Sequence, residues 1–351
     1  MQNPLLGVFF HWLGGVFSAS FYTPYKRIQH WSWEIFWLTG GIFSWLICPW
    51  FFAWLQTYDL AGVLSDAPVG VLQECFLWGL GWGFGGLTFG LAVRYMGISS
   101  GMAIVLGLTT VLGTLGPPVL AGTIAQIVAT TSGQFAIAGT FMTLLGVVLV
   151  AYATAEKNRS VGEHAANQTI DMKKGLLIAL FSGVMSACFA FGIAAGKPIR
   201  ELTLAAGTES LWQGLPVLCV VLAGGLTTNL IWCIWLIRSN KSGREFFGHV
   251  GHSVKRLAAN TMVKNYLLAA LGGACWYFQF FFYTMGESHM GKYEFSSWTI
   301  HMASIIIFST LWGLALLEWK GSSTRSRMLL LAGISLLVLS TILIGVGNSY
   351  Q

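Results

Sequence analysis

The placement of charge constrains this chain more than any other feature. Only 32 of its 351 residues are charged, and they cluster so as to leave ten apolar runs between them. A bilayer's hydrocarbon core is about 30 Å thick and takes roughly 20 helical residues to cross. The runs lie at about 5–25, 34–56, 70–93, 98–120, 134–154, 174–195, 211–237, 266–286, 296–318 and 327–347. With 55% apolar and 14% aromatic residues, a water-soluble fold could not cover its surface. A membrane barrel would show alternating polarity with frequent turns, whereas these runs are continuous. The expected fold class is an all-α polytopic membrane protein with ten transmembrane helices.

Ten spans place successive loops on alternate sides of the bilayer. The loops after spans 1, 3, 5, 7 and 9 hold 16 of the 19 basic residues; the other side has only Lys197, Arg200 and Lys292. Basic loops stay cytoplasmic, so both termini are expected on the outer, periplasmic side. A missed or invented span would scramble this bias, so the charges also support the count. The net charge of +6 therefore reads as orientation in a lipid bilayer, with no nucleic-acid partner. The first run is expected to stay in the membrane, because Lys26 and Arg27 follow it, the reverse of a cleaved leader. Six cysteines without a C-x-x-C pair read as small buried hydrophobes.

A short repeat adds a symmetry. Gly15-Val16-Phe17-Ser18-Ala19-Ser20-Phe21 returns 168 residues later as Gly183-Val184-Met185-Ser186-Ala187-Cys188-Phe189, five of seven identical. With five spans per half, the copies should enter the membrane from opposite sides. That is the signature of two inverted-topology five-helix repeats with a substrate site between them near the midplane. The expected organisation is one transport domain: repeats at 5–154 and 174–347, joined by a cytoplasmic linker at 155–173. His249 and His252 in the second long polar stretch lack a carboxylate or thiol partner and read as a solvated loop, with no metal.

Candidate chemistry sits on a few helix faces. In span 1, His11, Gly14, Gly15, Ser18 and Tyr22 share one face at steps of three to four. Such a face is either a close helix contact or a cavity lining. His11 is either a satisfied structural histidine or a coupling or substrate group, since a titratable side chain at membrane depth is costly. In span 3, Gly79, Gly83, Gly86 and Gly90 read as tight packing, and Pro117-Pro118 as the end of span 4. In span 8, Trp276, Gln279 and Tyr283 lie on one face with Gly272. An aromatic face carrying an amide and a phenol suits a neutral sugar, whose C–H faces stack while its hydroxyls take directed bonds. Span 9 adds Trp298 and His301. Asn229 in span 7 reads first as helix glue and second as a substrate contact. Glu34 favours a helix N-terminus, with proton carriage as its second role, and Lys197-Pro198 reads as an anchor before a gate.

No phosphate loop, H-E-x-x-H or G-x-S-x-G occurs. The chain is expected not to be an enzyme and to need no cofactor, the proton serving as coupling ion.

Several stretches together resemble the L-rhamnose–proton symporter family of the drug/metabolite transporter superfamily. They are His11 with Gly14 and Ser18-Ala19, Phe21-Tyr22-x-Pro24-x-Lys26, Trp31-Ser32-Trp33-Glu34, Arg94-Tyr95-Met96-Gly97 and Lys197-Pro198. They continue through Trp276 to Tyr283, Ser297-Trp298-x-x-His301-Met302 and Glu318-Trp319. The resemblance implies two inverted five-helix halves in the bacterial inner membrane, importing a deoxy-sugar with a proton. One departure stands out: Gly86, Thr88 and Phe89 replace two Asn and a Tyr of the family pattern, which would suit a different deoxyhexose or a pentose.

The reading is a sugar–proton symporter working by alternating access. Its substrate-binding candidates are Trp276, Gln279, Tyr283, Trp298, Ser18, Tyr22 and Asn229; its proton-coupling candidates are His11, His301 and Glu34. A metabolite or drug exporter of the same superfamily is the nearest alternative. A membrane sensor or scaffold is the alternative from another class.

Overall fold

The computed structural model describes residues 3–160, 171–251 and 256–350. Ten of its helices are long and apolar enough to cross a membrane. They are α1 (Pro4–Ser20), α2 (Trp33–Gln56), α3 (Val69–Met96), α4 (Ile98–Leu120), α5 (Thr131–Ser160), α6 (Met172–Ala195), α7 (Leu215–Asn240), α8 (Ala259–Ser288), α9 (Ser297–Ala315) and α10 (Thr324–Gly347). No strand occurs among the described residues. Large apolar side chains such as Leu77, Phe141, Leu177, Ile231 and Leu267 are exposed in mid-helix, as lipid-facing positions must be.

Local chemistry sets the helix ends. Asn3, Asp171 and Ser323 each accept a bond from a first-turn amide of α1, α6 and α10, satisfying donors that a helix start leaves open. Within α2, Phe43–Ile47 forms one wide π-helical turn just before Pro49. Proline lacks an N–H and clashes with the carbonyl four residues back, and the wide turn lets the helix continue past it. Pro117 and Pro118 occupy the last turn of α4, so the expected helix end is found there. They also leave the Gly113 and Thr114 carbonyls without their helical donors.

Several boundaries move outward. α5 continues to Ser160, past the expected 154, and Lys157 near its end lies over the Trp319 ring at 5.5 Å. Most of the expected linker, 161–170, lies outside the described residues, as does His252. At the other end of the molecule, α8 runs two residues beyond its expected limit and takes in Glu287.

The loops meet in two groups, one at each end of the bundle. At the basic end, Lys26 pairs with Glu318 at 3.6 Å. There Glu34 accepts from Asn240 at 3.0 Å and Ser242 at 2.7 Å, and Glu245 accepts from the Ser32 amide and hydroxyl. These bonds clasp α2 to the segment after α7. At the opposite end, the Tyr58 amide donates to Thr208, and Tyr293 bonds Thr130.

Helix pairing follows a pattern. α1 packs against α8 and α9, while α6 packs against α3 and α4; α5 lies along α10, and α2 along α7. The repeated residues occupy matching seats. A side chain at Gly15 would strike Ser304 of α9, and one at Gly183 would strike Leu108 of α4. One residue earlier, Gly14 abuts the Gln279 carbonyl of α8, and Ser182 donates to the Gly85 carbonyl of α3 at 2.9 Å. Small residues serve here because helix association in lipid depends on close backbone approach. Of the span 3 glycines, Gly79 and Gly83 pack against α7, but Gly86 and Gly90 meet open space.

Candidate transport site

α1, α8 and α9 bring four of the expected site residues into one buried ring cluster. His11 lies 5.3 Å from Tyr283 and 6.2 Å from His301, between ring centroids. Tyr283 lies 5.2 Å from His301 and 5.9 Å from Trp298. The glycines of α1 and α8 permit this: a side chain at Gly286 would collide with the His11 ring, and one at Gly14 would crowd His301. Trp298 is fixed by its indole N–H, which donates to the Thr109 carbonyl of α4 at 3.0 Å. Beside it a hydroxyl chain runs from Thr114 through Thr299 to Thr140. Gln279, one turn from Tyr283, is buried as well.

His11, His301 and Gln279 are buried but unsatisfied. Both ring nitrogens of His11 and of His301, and the Gln279 amide nitrogen, have no hydrogen-bond partner. An unmade bond at a buried polar atom costs about 1–3 kcal/mol. Neutral imidazole offers one donor and one acceptor, so the two rings present four directed positions. Such a set matches a compact ligand rich in hydroxyls.

A cavity of about 520 Å³ reaches this cluster from the end opposite the basic loops. Its floor is Tyr283 and Trp298, and its walls include Gly113, Pro117, Ala190 and Glu287. That volume is in the usual range for a small-molecule site. On the basic side of the cluster the packing is closed by aromatic rings. Trp276 lies 4.4 Å from Phe21, with Trp37 and Trp45 beyond. A hole of about 10 Å³ there, lined by Tyr25, Ser44 and these rings, has room for at most one water. The large cavity therefore opens at one end, and aromatic packing lies between its floor and the other.

Other expected residues lie elsewhere. Ser18 is buried on α1, two turns from His11 toward the basic end. Tyr22 is 43% exposed beyond α1 and packs on Phe21 and Tyr25. Trp276 belongs to the aromatic closure. Asn229 accepts from the Trp37 indole at 3.0 Å and donates to its own helix, joining α7 to α2. Glu34 is held in the basic-end clasp. Thr88 donates to the Phe84 carbonyl of its own helix, and neither Gly86, Thr88 nor Phe89 lines the large cavity. No metal-ligating group of three or more residues occurs among the described residues, and all six cysteines are free.

Two charged residues at the site escaped the sequence reading. Arg200, 5% exposed, donates to the Ile193 carbonyl at 2.7 Å and to Glu294 at 2.9 Å, and stands 4.0 Å from Glu287. Glu287 is 7% exposed and lines the cavity one turn above Tyr283. In the sequence Arg200 stands among the loop cations, and Glu287 lies one residue past the expected end of span 8. The available signal was the step of four, Gln279, Tyr283, Glu287, which continues the polar face.

Ten membrane-length helices around a cavity open at one end, with unsatisfied hydrogen-bonding groups packed beneath its floor, are the architecture of a multi-pass membrane transporter. The chain matches the L-rhamnose-proton symport protein (RhaT) family over residues 1–350, and it belongs to that family. It is 35% identical to the L-rhamnose-proton symporter of Pectobacterium atrosepticum, over 99% of both chains. The L-rhamnose-proton symporters of Salmonella newport and Salmonella paratyphi B match to the same extent.

Proposed function

We propose that this protein imports L-rhamnose, or a closely similar deoxy-sugar, together with a proton across the bacterial inner membrane by alternating access. The observation that carries the reading is the cavity ending on Tyr283 and Trp298 with the unsatisfied groups of His11, His301 and Gln279 beneath it. The aromatic rings suit the apolar face of a deoxy-sugar, and the imidazoles and amide suit its hydroxyls. The names of the full-length relatives support both the sugar and the coupling ion.

Orientation and mechanism belong to the same proposal. The positive-inside rule makes the basic end cytoplasmic and puts both termini outside. The cavity then faces the periplasm, and the aromatic closure is the inner gate of an outward-open state. The exchange of partners between halves, α1 on α8 and α9 against α6 on α3 and α4, supports two inverted five-helix repeats that rock about the site.

The test is uptake of labelled L-rhamnose into proteoliposomes with and without an imposed pH gradient. Accumulation driven by an acidic outside, and no accumulation without it, is expected. Uptake indifferent to the gradient would remove the proton from the reading. Efflux alone would favour an exporter.

A further inference from the structure

Resting on that reading, we infer that Glu287 is the site that binds the transported proton, with Arg200 and Glu294 as its fixed counter-charges. Three ionisable groups meet at the cavity wall, two carboxylates and one guanidinium. Arg200 is anchored by the Ile193 carbonyl and engages Glu294 at 2.9 Å, but reaches Glu287 only at 4.0 Å. The closer, half-exposed carboxylate is the direct partner of the guanidinium. The farther, buried one is left with excess negative charge in a medium that penalises it.

Other charged or titratable groups lie around Glu287, among them Tyr293 in the same cavity lining. On its own helix lies Tyr283, one turn away, and from α1 His11 packs against the neighbouring Gly286. Lys197 and Lys292 line the same cavity but are themselves exposed to water, where their fields are screened. Beside Arg200, Cys75 of α3 is buried with its thiol donating to the Gly192 carbonyl. Among the described residues, neither His11 nor His301 beneath the floor has a charged partner within ion-pair distance.

The step balances simply. A hydronium ion in the outer cavity transfers one proton to a Glu287 carboxylate oxygen and leaves water. The triad then holds one positive and one negative charge, so the cavity can close over Tyr283 and the sugar without burying net charge. After the inner side opens, the carboxylic acid returns its proton to cytoplasmic water. Coupling follows because the sugar-loaded cavity closes only over protonated Glu287, whereas the empty protein returns with Glu287 ionised and drawn onto Arg200.

The experiment compares wild type, Glu287→Gln and Glu294→Gln in proteoliposomes, each checked for monodispersity. At one proton per sugar, a gradient of about one pH unit supports roughly tenfold accumulation of L-rhamnose. Glu287→Gln, which mimics the protonated acid, should lose that accumulation entirely. It should still exchange internal for external sugar, at a rate no longer dependent on pH. Glu294→Gln leaves Glu287 as the sole carboxylate beside Arg200, so its accumulation should weaken and require a more acidic outside, while exchange persists. Normal accumulation by Glu287→Gln would overturn the assignment. So would equal loss of exchange and accumulation, which would make Glu287 a sugar-binding or structural group. If wild type itself does not accumulate L-rhamnose, the proposed function fails, which is a different result.

Discussion

α1 and α6 start the two halves with the same small-residue pattern and take matching seats, yet what surrounds them differs. Against α8 and α9, α1 places His11 beside Tyr283 and His301. Against α3 and α4, α6 has Ala179 at the corresponding position, buried with Ala92, Met96 and Val105. One seat is a polar cluster at the end of a cavity; the other is an apolar plug. The repeat thus preserves the backbone approach and leaves the lining free to diverge. Packing in lipid depends on small residues at fixed spacing, whereas chemistry depends on single side chains that can change without moving a helix.

The most severe test of this contrast is removal of His11. His11→Ala should reduce both exchange and gradient-driven uptake of L-rhamnose by about tenfold or more, the effect of losing directed bonds to the ligand. Loss of accumulation with exchange intact would instead give the ring the role assigned to Glu287. The converse change, Ala179→His, inserts a bulky polar ring into the plug. It should destabilise the protein by about 2–3 kcal/mol, read by thermal unfolding in detergent, without conferring new transport behaviour on the folded fraction.

Smaller effects test the seats themselves. Gly15→Ala drives a methyl into the backbone as well as the side chain of Ser304 and should cost about 2 kcal/mol. For Gly183→Ala the nearest atoms are those of the Leu108 side chain, Cβ first, with no backbone among them, and it should cost about 1 kcal/mol. Equal costs, or the reverse order, would show that α1 is seated no more tightly than α6. Least of all, Ser182→Ala removes one interhelical bond to Gly85, worth about 0.6 kcal/mol in a membrane bundle. A much larger shift would mean that this bond holds α6 in place.

The ten spans were legible because lipid imposes a length and a polarity that composition must obey. The His11, Tyr283, Trp298 and His301 candidates were legible for the same reason: a polar or titratable group inside such a span needs an explanation. Tyr22 and Asn229 carried the same signal but lie elsewhere, since a helix face read from spacing does not say which neighbour it meets. Asn229 meets Trp37, and Tyr22 meets solvent and its neighbouring rings. Arg200 and Glu287 were missed for the opposite reason. Charges at span ends normally face water, and only the fold of the Lys197–Ala205 helix over the end of α8 buries them together.

By itself the sequence determined that this chain is a bundle of ten membrane helices with a repeated packing motif, because the bilayer's thickness and the sidedness of charge are written one residue at a time. Only the tertiary structure decided that α1 takes its partners from the other half. It alone decided that the polar groups converge beneath a cavity open at one end, and that two carboxylates share one guanidinium above them. Those are relations between residues far apart in the chain, fixed by helix packing.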